Sequence, residues 1–205
     1  MEVKKVMAPV RIDFGGGTTD VEPFPTKYGG AVLNAAIDHH VVGELESSSK
    51  GISLSYSENI PTSSGLGTSS VMNLVWLSLI SQKRFKDDRD KMALAEEVYR
   101  LEQAMGLVGG KQDEYAGAVG GINFMEFRKG NKVIVQKLKL KPSLIKELES
   151  HLILVYTGKP HSSNAVKDRR SIRIRLFRNK GRICRQHGYT FARIVGFQYL
   201  WARSP

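Results

Sequence analysis

The sequence predicts an α+β domain in which a mixed sheet is packed with helices. Three observations carry this expectation. The first half reads as short strand-like segments broken by glycine, two helical segments follow, and strand-like segments then return. That order fits a mixed α+β domain better than a regularly alternating sheet.

Val32–Ile37 and Val41–Leu45 are strand candidates, and Ile52, Leu54 and Tyr56 alternate with serine as in a half-buried strand. A helix is expected from Thr68–Ser69, where hydroxyls can cap free backbone N–H groups, to about Ser81. A second runs from Asp90 to Met105, with Leu94, Val98, Leu101 and Met105 at helical spacing and Gly106 as a C-terminal stop. Ile122–Phe127 and Val133–Leu138 then form a hairpin around Lys129-Gly130-Asn131, and His151–Tyr156 begins another strand. There is no internal repeat.

A chain of 205 residues holds one sizeable domain, or one domain and part of another. Its hydrophobic fraction of 41% is that of a protein with a real core. No apolar run approaches the roughly 18 to 20 residues that span a bilayer, and no apolar signal core follows the lysines of the first nine residues, so a cytoplasmic protein is expected. Cys184 is the sole cysteine, which excludes an internal disulfide and a cysteine-built metal site. His39 and His40 are adjacent, but sequence neighbours rarely bind one metal together.

The net charge of +11 is unevenly spread. Residues 167–205 carry nine arginines and two lysines against one acid, Asp168, a net of +10; residues 1–166 are near neutral at +1. The first 166 residues therefore argue against a nucleic-acid partner, and only the basic tail offers a surface for one.

Three glycine-bearing clusters are where chemistry is expected. In Pro61-Thr-Ser-Ser-Gly-Leu-Gly-Thr-Ser-Ser70, Gly65 and Gly67 let the backbone turn tightly, and Thr68, Ser69 and Ser70 open an apolar helix. Free N–H groups and the positive helix end converge there, which suits a polyphosphate; an ordinary strand-to-helix turn is the alternative. The cluster is neither a Walker loop nor Gly-x-Gly-x-x-Gly. Arg11-Ile-Asp-Phe-Gly-Gly-Gly-Thr-Thr-Asp20 is either a cradle for a hydroxylated ligand or a turn ending in a solvated aspartate. In Gly109-Gly-Lys-Gln-Asp113 the carboxylate can accept a proton from a substrate hydroxyl or serve as a helix cap.

Together and in order, these clusters resemble the GHMP kinases, named for galactokinase, homoserine kinase, mevalonate kinase and phosphomevalonate kinase. The Pro-x-x-x-Gly-Leu-Gly-Ser-Ser motif matches Pro61 to Ser69, with Thr68 in place of the first serine. The opening Pro-x-Arg…Thr-Asp motif matches Pro9, Arg11, Thr19 and Asp20, and the Gly-x-x-Asp motif matches Gly110 to Asp113. Glu102 lies eleven residues before Asp113, where the family places a magnesium-binding glutamate. The segments Phe-Gly-Gly-Gly-Thr-Thr-Asp, Gly-Lys-Gln-Asp-Glu-Tyr-Ala and Gly120-Gly-Ile-Asn-Phe resemble the branch of bacterial D-glycero-D-manno-heptose 7-phosphate kinases. Galactokinases carry Gly-Glu-His before Thr-Asp; this chain has Gly-Gly-Thr, which counts against galactose.

The resemblance implies transfer of the γ-phosphoryl group of ATP to a hydroxyl of a sugar or sugar phosphate. It implies an ATP-phosphate site at Pro61, Ser64, Gly65, Leu66, Gly67, Thr68, Ser69 and Ser70, and Mg²⁺ on Ser69 and Glu102. Asp113 would orient or deprotonate the attacking hydroxyl, with Arg11 beside it to offset charge on the moving phosphoryl. Asp20, Thr19 and Gly17 would meet the sugar. A non-catalytic nucleotide- or sugar-binding relative, and a polyanion-binding protein acting through its tail, are the alternatives. A second copy of the chain stands as a further partner.

By the same resemblance, residues 1–150 form the N-terminal ATP-binding domain and 151–166 begin a C-terminal domain that is largely missing. The resemblance stops near Val166. Residues 167–205 are then expected to be a truncated or frame-shifted product, a genuine basic arm, or a stretch whose missing domain a partner subunit supplies. Aromatics among the tail arginines could stack on bases, but their spacing matches no known module.

Overall fold

The computed structural model describes residues 2–49, 51–60, 64–81, 83, 85–107, 109–156, 189–190 and 198–200. The elements run β1 (Glu2–Gly15), α1 (Phe24–Tyr28), β2 (Gly30–Ser48), β3 (Gly51–Glu58), α2 (Thr68–Ile80), α3 (Asp88–Ala104), α4 (Gln112–Val119), β4 (Ile122–Arg128), β5 (Lys132–Lys137), α5 (Pro142–Ser150), β6 (Leu154–Val155), β7 (Tyr189–Thr190) and β8 (Gln198–Leu200). The expected α+β class is what the chain adopts.

The sheet is organised by one long strand. β2 pairs antiparallel with β1 along one edge; on its other edge Gly30–Ala35 pair with β4 and Val41–Ser48 with β3. β5 extends the sheet beyond β4, and β8 pairs with β1. The two strand candidates at 32–37 and 41–45 are thus halves of one 19-residue strand. The pairing of β1 with β2 shifts register between Pro9 and Arg11 and again between Asp13 and Gly15. Such bulges bend a strand and re-aim its side chains, here where the chemistry is expected.

One face of the sheet is covered by helices. α2 packs on β1 and β2, α4 packs on β1, and α3 lies against α2 and α4. Val6, Ala8 and Val10 point inward at alternate positions of β1, as do Met125 and Phe127 of β4. They meet Val71, Leu74, Val75 and Leu79 of α2, spaced three and four residues apart along one helix face. Each fully buried aliphatic of this kind contributes on the order of 1.5–3 kcal/mol. α3 starts where Asp87 accepts the Asp90 N–H at 2.9 Å, and Asp90 in turn accepts the Lys86 N–H at 2.9 Å.

Several expectations need correction. β3 is not half-buried along its length: Ile52 is 74% exposed, and only Leu54, opposite Leu45, packs against the core. The strand pairs with the C-terminal half of β2. The strand expected over 151–156 is confined to Leu154–Val155. α5, opened by Pro142, was not expected and has no buried residue. β1 was not expected as a strand, because Lys4, Lys5 and Pro9 hide its alternation; Lys5 is explained by Glu44, its cross-strand partner at 2.5 Å.

Pro61 lies outside the described residues, as do 157–166 and, apart from the short strands β7 and β8, the basic tail. β7 pairs antiparallel with β6. No helix among the described residues is long and apolar enough to cross a membrane.

Candidate active site

The site forms where the bent end of β1 meets the glycine-rich loop and the first turn of α4. The Arg11 backbone N–H donates to the Leu66 carbonyl at 3.3 Å, tying strand to loop. The Arg11 side chain then reaches across. Nη1 donates to the Gly65 carbonyl at 3.0 Å, while Nε and Nη2 both meet Oδ1 of Asp113, at 2.6 and 2.5 Å. Arg11 and Asp113 side chains are 12% and 26% exposed, so the pair is shielded yet reachable. Three segments remote in sequence therefore converge on one guanidinium.

Gly67 is the pivot of the loop. Its φ of 78° lies in the left-handed region that side chains disfavour, and it occupies the N-cap position of α2. A Cβ there would come within 2.8 Å of Cγ of Asp113. Glycine is needed at this position both for the turn and for the carboxylate to sit against the loop.

The loop has the features of an anion site. Among the described residues no side chain caps α2, so its first N–H groups face outward at the positive helix end. Ser64 Oγ and Thr68 Oγ1 are buried without a hydrogen-bond partner among the described residues. Buried hydroxyls seldom go unpaired in a native structure. Two of them flanking an uncapped helix start fit a ligand rich in acceptor oxygens.

Behind the loop, Glu102 of α3 is 6% exposed. Ser70 donates to its Oε2 at 3.2 Å and Asn73 to its Oε1 at 2.8 Å. Each carboxylate oxygen retains acceptor capacity, and Ser69, one residue from Ser70, is exposed. No cluster of three or more His, Cys, Asp or Glu side chains suited to a metal exists among the described residues. A single carboxylate with hydroxyls fits Mg²⁺, which commonly completes its shell with substrate phosphates and water.

Glu114, beside Asp113, is fully buried, and its carboxyl group lies against that of Glu102. Burial foremost, then the negative charges of Asp113 and Glu102, hold its pKa well above the usual 4.5.

The expected sugar contacts behave differently from one another. The Thr19 hydroxyl lies 2.6 Å from the Gly16 carbonyl and 3.0 Å from that of Ala31, and accepts the Ala31 N–H at 3.1 Å. It is spent on shaping the loop. Gly17 lies against the Asp13 carboxylate. Asp20 is turned inward, 3% exposed, with Oδ2 accepting the Gln112 N–H at 3.0 Å and Oδ1 at 3.5 Å from Gln112 Nε2. Burial is the largest influence on Asp20 and raises its pKa.

Sequence reasoning missed Asp13, Asn73, Gln112, Glu114 and the anchor at Lys111. Lys111 is 4% exposed: Nζ meets Glu96 Oε2 at 2.6 Å and the Asn131 carbonyl at 3.3 Å, and lies 4.6 Å from the centroid of the Tyr99 ring. Tyr115 and Asn131 also donate to Glu96. Asn73 was readable once α2 was placed, because it follows Ser70 by three residues and shares its face.

These features define a glycine-loop α+β domain of the non-Walker kind, with an arginine–aspartate pair facing a helix N-terminus. Residues 31–121 match the family described as GHMP kinases N terminal domain. A D-glycero-alpha-D-manno-heptose 7-phosphate kinase of Campylobacter jejuni is 27% identical over 77% of this chain and 60% of its own length. A bifunctional fucokinase/GDP-fucose pyrophosphorylase of Arabidopsis thaliana is 28% identical over 79% of this chain and 21% of its own. The crystal structure of a D-glycero-D-manno-heptose 1-phosphate kinase from Bacteroides thetaiotaomicron superposes with a TM-score of 0.64 at 28% identity, covering 74% of this chain and 64% of that one. The chain thus spans about three-fifths of the length of the heptose kinases it matches.

Proposed function

We propose that this chain is the front part of an ATP-dependent kinase that phosphorylates a hydroxyl of a sugar or sugar phosphate of the heptose phosphate type. The observation that carries the reading is the Arg11–Asp113 pair pressed against Gly67, which brings a proton acceptor to the phosphate loop. Residues 1–150 serve as the ATP-binding domain, 151–166 lead into a second domain, and 167–205 form a basic tail.

The ATP phosphates lie on the N–H groups and hydroxyls of residues 64–70, and the family resemblance counts Pro61 in the same site. Ser69 and Glu102 would hold Mg²⁺, which as a hard cation would offset phosphate charge. Asp113 orients the attacking hydroxyl and takes its proton as the new oxygen–phosphorus bond forms. The bond from the γ-phosphorus to the β,γ-bridging oxygen breaks and ADP leaves. Arg11 keeps Asp113 aimed and faces the charge spread over the transferring group. Phosphoryl transfer asks mainly for positioning and charge stabilisation, which this set supplies. Gly17, Thr19 and Asp20 belong to the loop that shapes the sugar side.

The test is ADP release from ATP and Mg²⁺ with D-glycero-D-manno-heptose 7-phosphate, the 1-phosphate and unphosphorylated sugars, alongside calorimetric ATP binding. Sugar-dependent ADP release that disappears in Asp113→Asn while ATP still binds supports the proposal. ATP binding that is absent, or turnover undiminished in that variant, overturns it.

A further inference from the structure

We infer that Asp20 works from behind the site: it caps helix α4 from a distant loop and so fixes Asp113, and it does not touch the sugar. This rests on the reading of Asp113 as the proton acceptor and adds a positioning residue to it.

The argument starts from what α4 lacks. Its N-cap position is Lys111, which provides no side-chain cap and whose ammonium is committed to Glu96 and Asn131. The first N–H groups of a helix need acceptors, and a short helix holding a reacting group needs them most. Asp20, 92 residues away in sequence, supplies one through Oδ2 to the Gln112 N–H at 3.0 Å. Gln112 is the residue immediately before Asp113. A carboxylate also complements the positive helix end.

Gly110 makes the contact possible. A Cβ built on Gly110 would fall on the Asp20 carboxylate, whereas its own backbone is not in the left-handed region. Glycine is required here to leave room for another side chain. Asp20 is also 3% exposed, and burial raises its pKa even though the Gln112 N–H lowers it. At 3% exposure the carboxylate is turned to the start of α4 and away from solvent. Asp113 is then held twice, by Arg11 at its carboxylate and by Asp20 at its backbone.

The experiment compares Asp20→Ala, Asp20→Asn, Gly110→Ala and the Asp20→Ala/Gly110→Ala pair in the full chain. Hydrogen exchange at the Gln112 amide and the NMR signal of the Arg11 Nε–H are read without substrate. Kinetics use ATP, Mg²⁺ and D-glycero-D-manno-heptose 7-phosphate. Asp20→Ala and Gly110→Ala are each expected to speed Gln112 exchange and move the Arg11 signal. Each should lower kcat by about 10- to 100-fold, the scale of a misplaced reacting group, with the sugar KM changing less than about threefold because no substrate contact is lost. The double variant should be no worse than either alone, and Asp20→Asn, which keeps an acceptor, should recover most of the loss. Native Gln112 exchange in Gly110→Ala, or a raised sugar KM with kcat preserved in Asp20→Ala, overturns the inference. If Asp20→Ala does not fold, Gly110→Ala carries the test, since Asp20 is then intact and only displaced. If the wild-type chain turns nothing over, the kinase reading fails, while the exchange data still decide whether Asp20 caps α4.

Discussion

Arg11 and Asp113, 102 residues apart, share a single oxygen: both Nε and Nη2 of the arginine meet Oδ1, which leaves Oδ2 on the side of Gly67. The pair divides the carboxylate into an anchored oxygen and one turned toward the loop. Asp113→Asn should lower turnover by about 10²–10⁴-fold, the usual worth of a positioned proton acceptor. ATP affinity should stay within about threefold, since binding to the loop does not use Asp113. Steady-state kinetics with calorimetry check both. Arg11→Met should cost about 1–3 kcal/mol of stability, because a half-buried carboxylate loses its charged donors; urea unfolding measures it.

The hydroxyls of Ser64 and Thr68, unpartnered among the described residues, separate a binding role from a structural one. A hydroxyl that serves the fold destabilises when removed, whereas deleting a buried hydroxyl that has no partner is neutral or slightly stabilising. Thr68→Val and Ser64→Ala should therefore leave the unfolding midpoint unchanged or raised. Their ATP affinity should fall by about 5- to 20-fold, as expected for one lost hydrogen bond to a charged acceptor. A fall in stability without a fall in affinity would refute the assignment.

Lys111 sits in a glycine-flanked motif where a phosphate-binding lysine might be sought, yet its ammonium is buried against Glu96 and Tyr99. Lys111→Met should destabilise by about 2 kcal/mol, less than the ~3–5 kcal/mol of a fully orphaned buried charge, because Glu96 keeps Tyr115, Asn131 and Arg100. Chemical denaturation gives the figure. ATP affinity should be far less affected than stability.

Glu114 predicts a pH signature. Its folded pKa is raised well above 4.5 by burial. The folded state therefore holds a proton that the unfolded chain releases near 4.5. The resulting stabilisation is present in full below that value and is lost as pH rises toward the folded pKa. Glu114→Gln cannot titrate, so its stability should fall less than that of the wild type as pH rises from 4.5. Unfolding midpoints from pH 4 to 8 in both proteins check the sign; parallel profiles would refute it.

Much of this molecule was legible in the sequence where local chemistry dominates. The Thr68 helix start, the Gly106 stop and the turn at Gly130-Asn131 follow from left-handed positions at Gly67, Gly106, Gly130 and Asn131, and each falls within two residues of its expected place. The glycine-rich loop announced itself for the same reason. What could not be read was set at a distance. β1 is a strand because β2 pairs with it despite two lysines and a proline, and Asp20 faces inward because Gly110 leaves it room. Spacing revealed which residues could hold a ligand, but not that Thr19 is consumed by backbone groups or that Lys111 is buried.

The close approach of Gly67 to Asp113 bears on protein engineering. The nine-residue signature around the loop cannot be grafted onto another scaffold as a self-sufficient cassette. Its glycine is shaped by a carboxylate that arrives from a different helix, and its carbonyls at 65 and 66 are occupied by an arginine from a different strand. A transplant that carries the peptide alone would keep the turn and lose the reason for it; the smallest portable unit comprises the loop, the bent end of β1 and the first turn of α4.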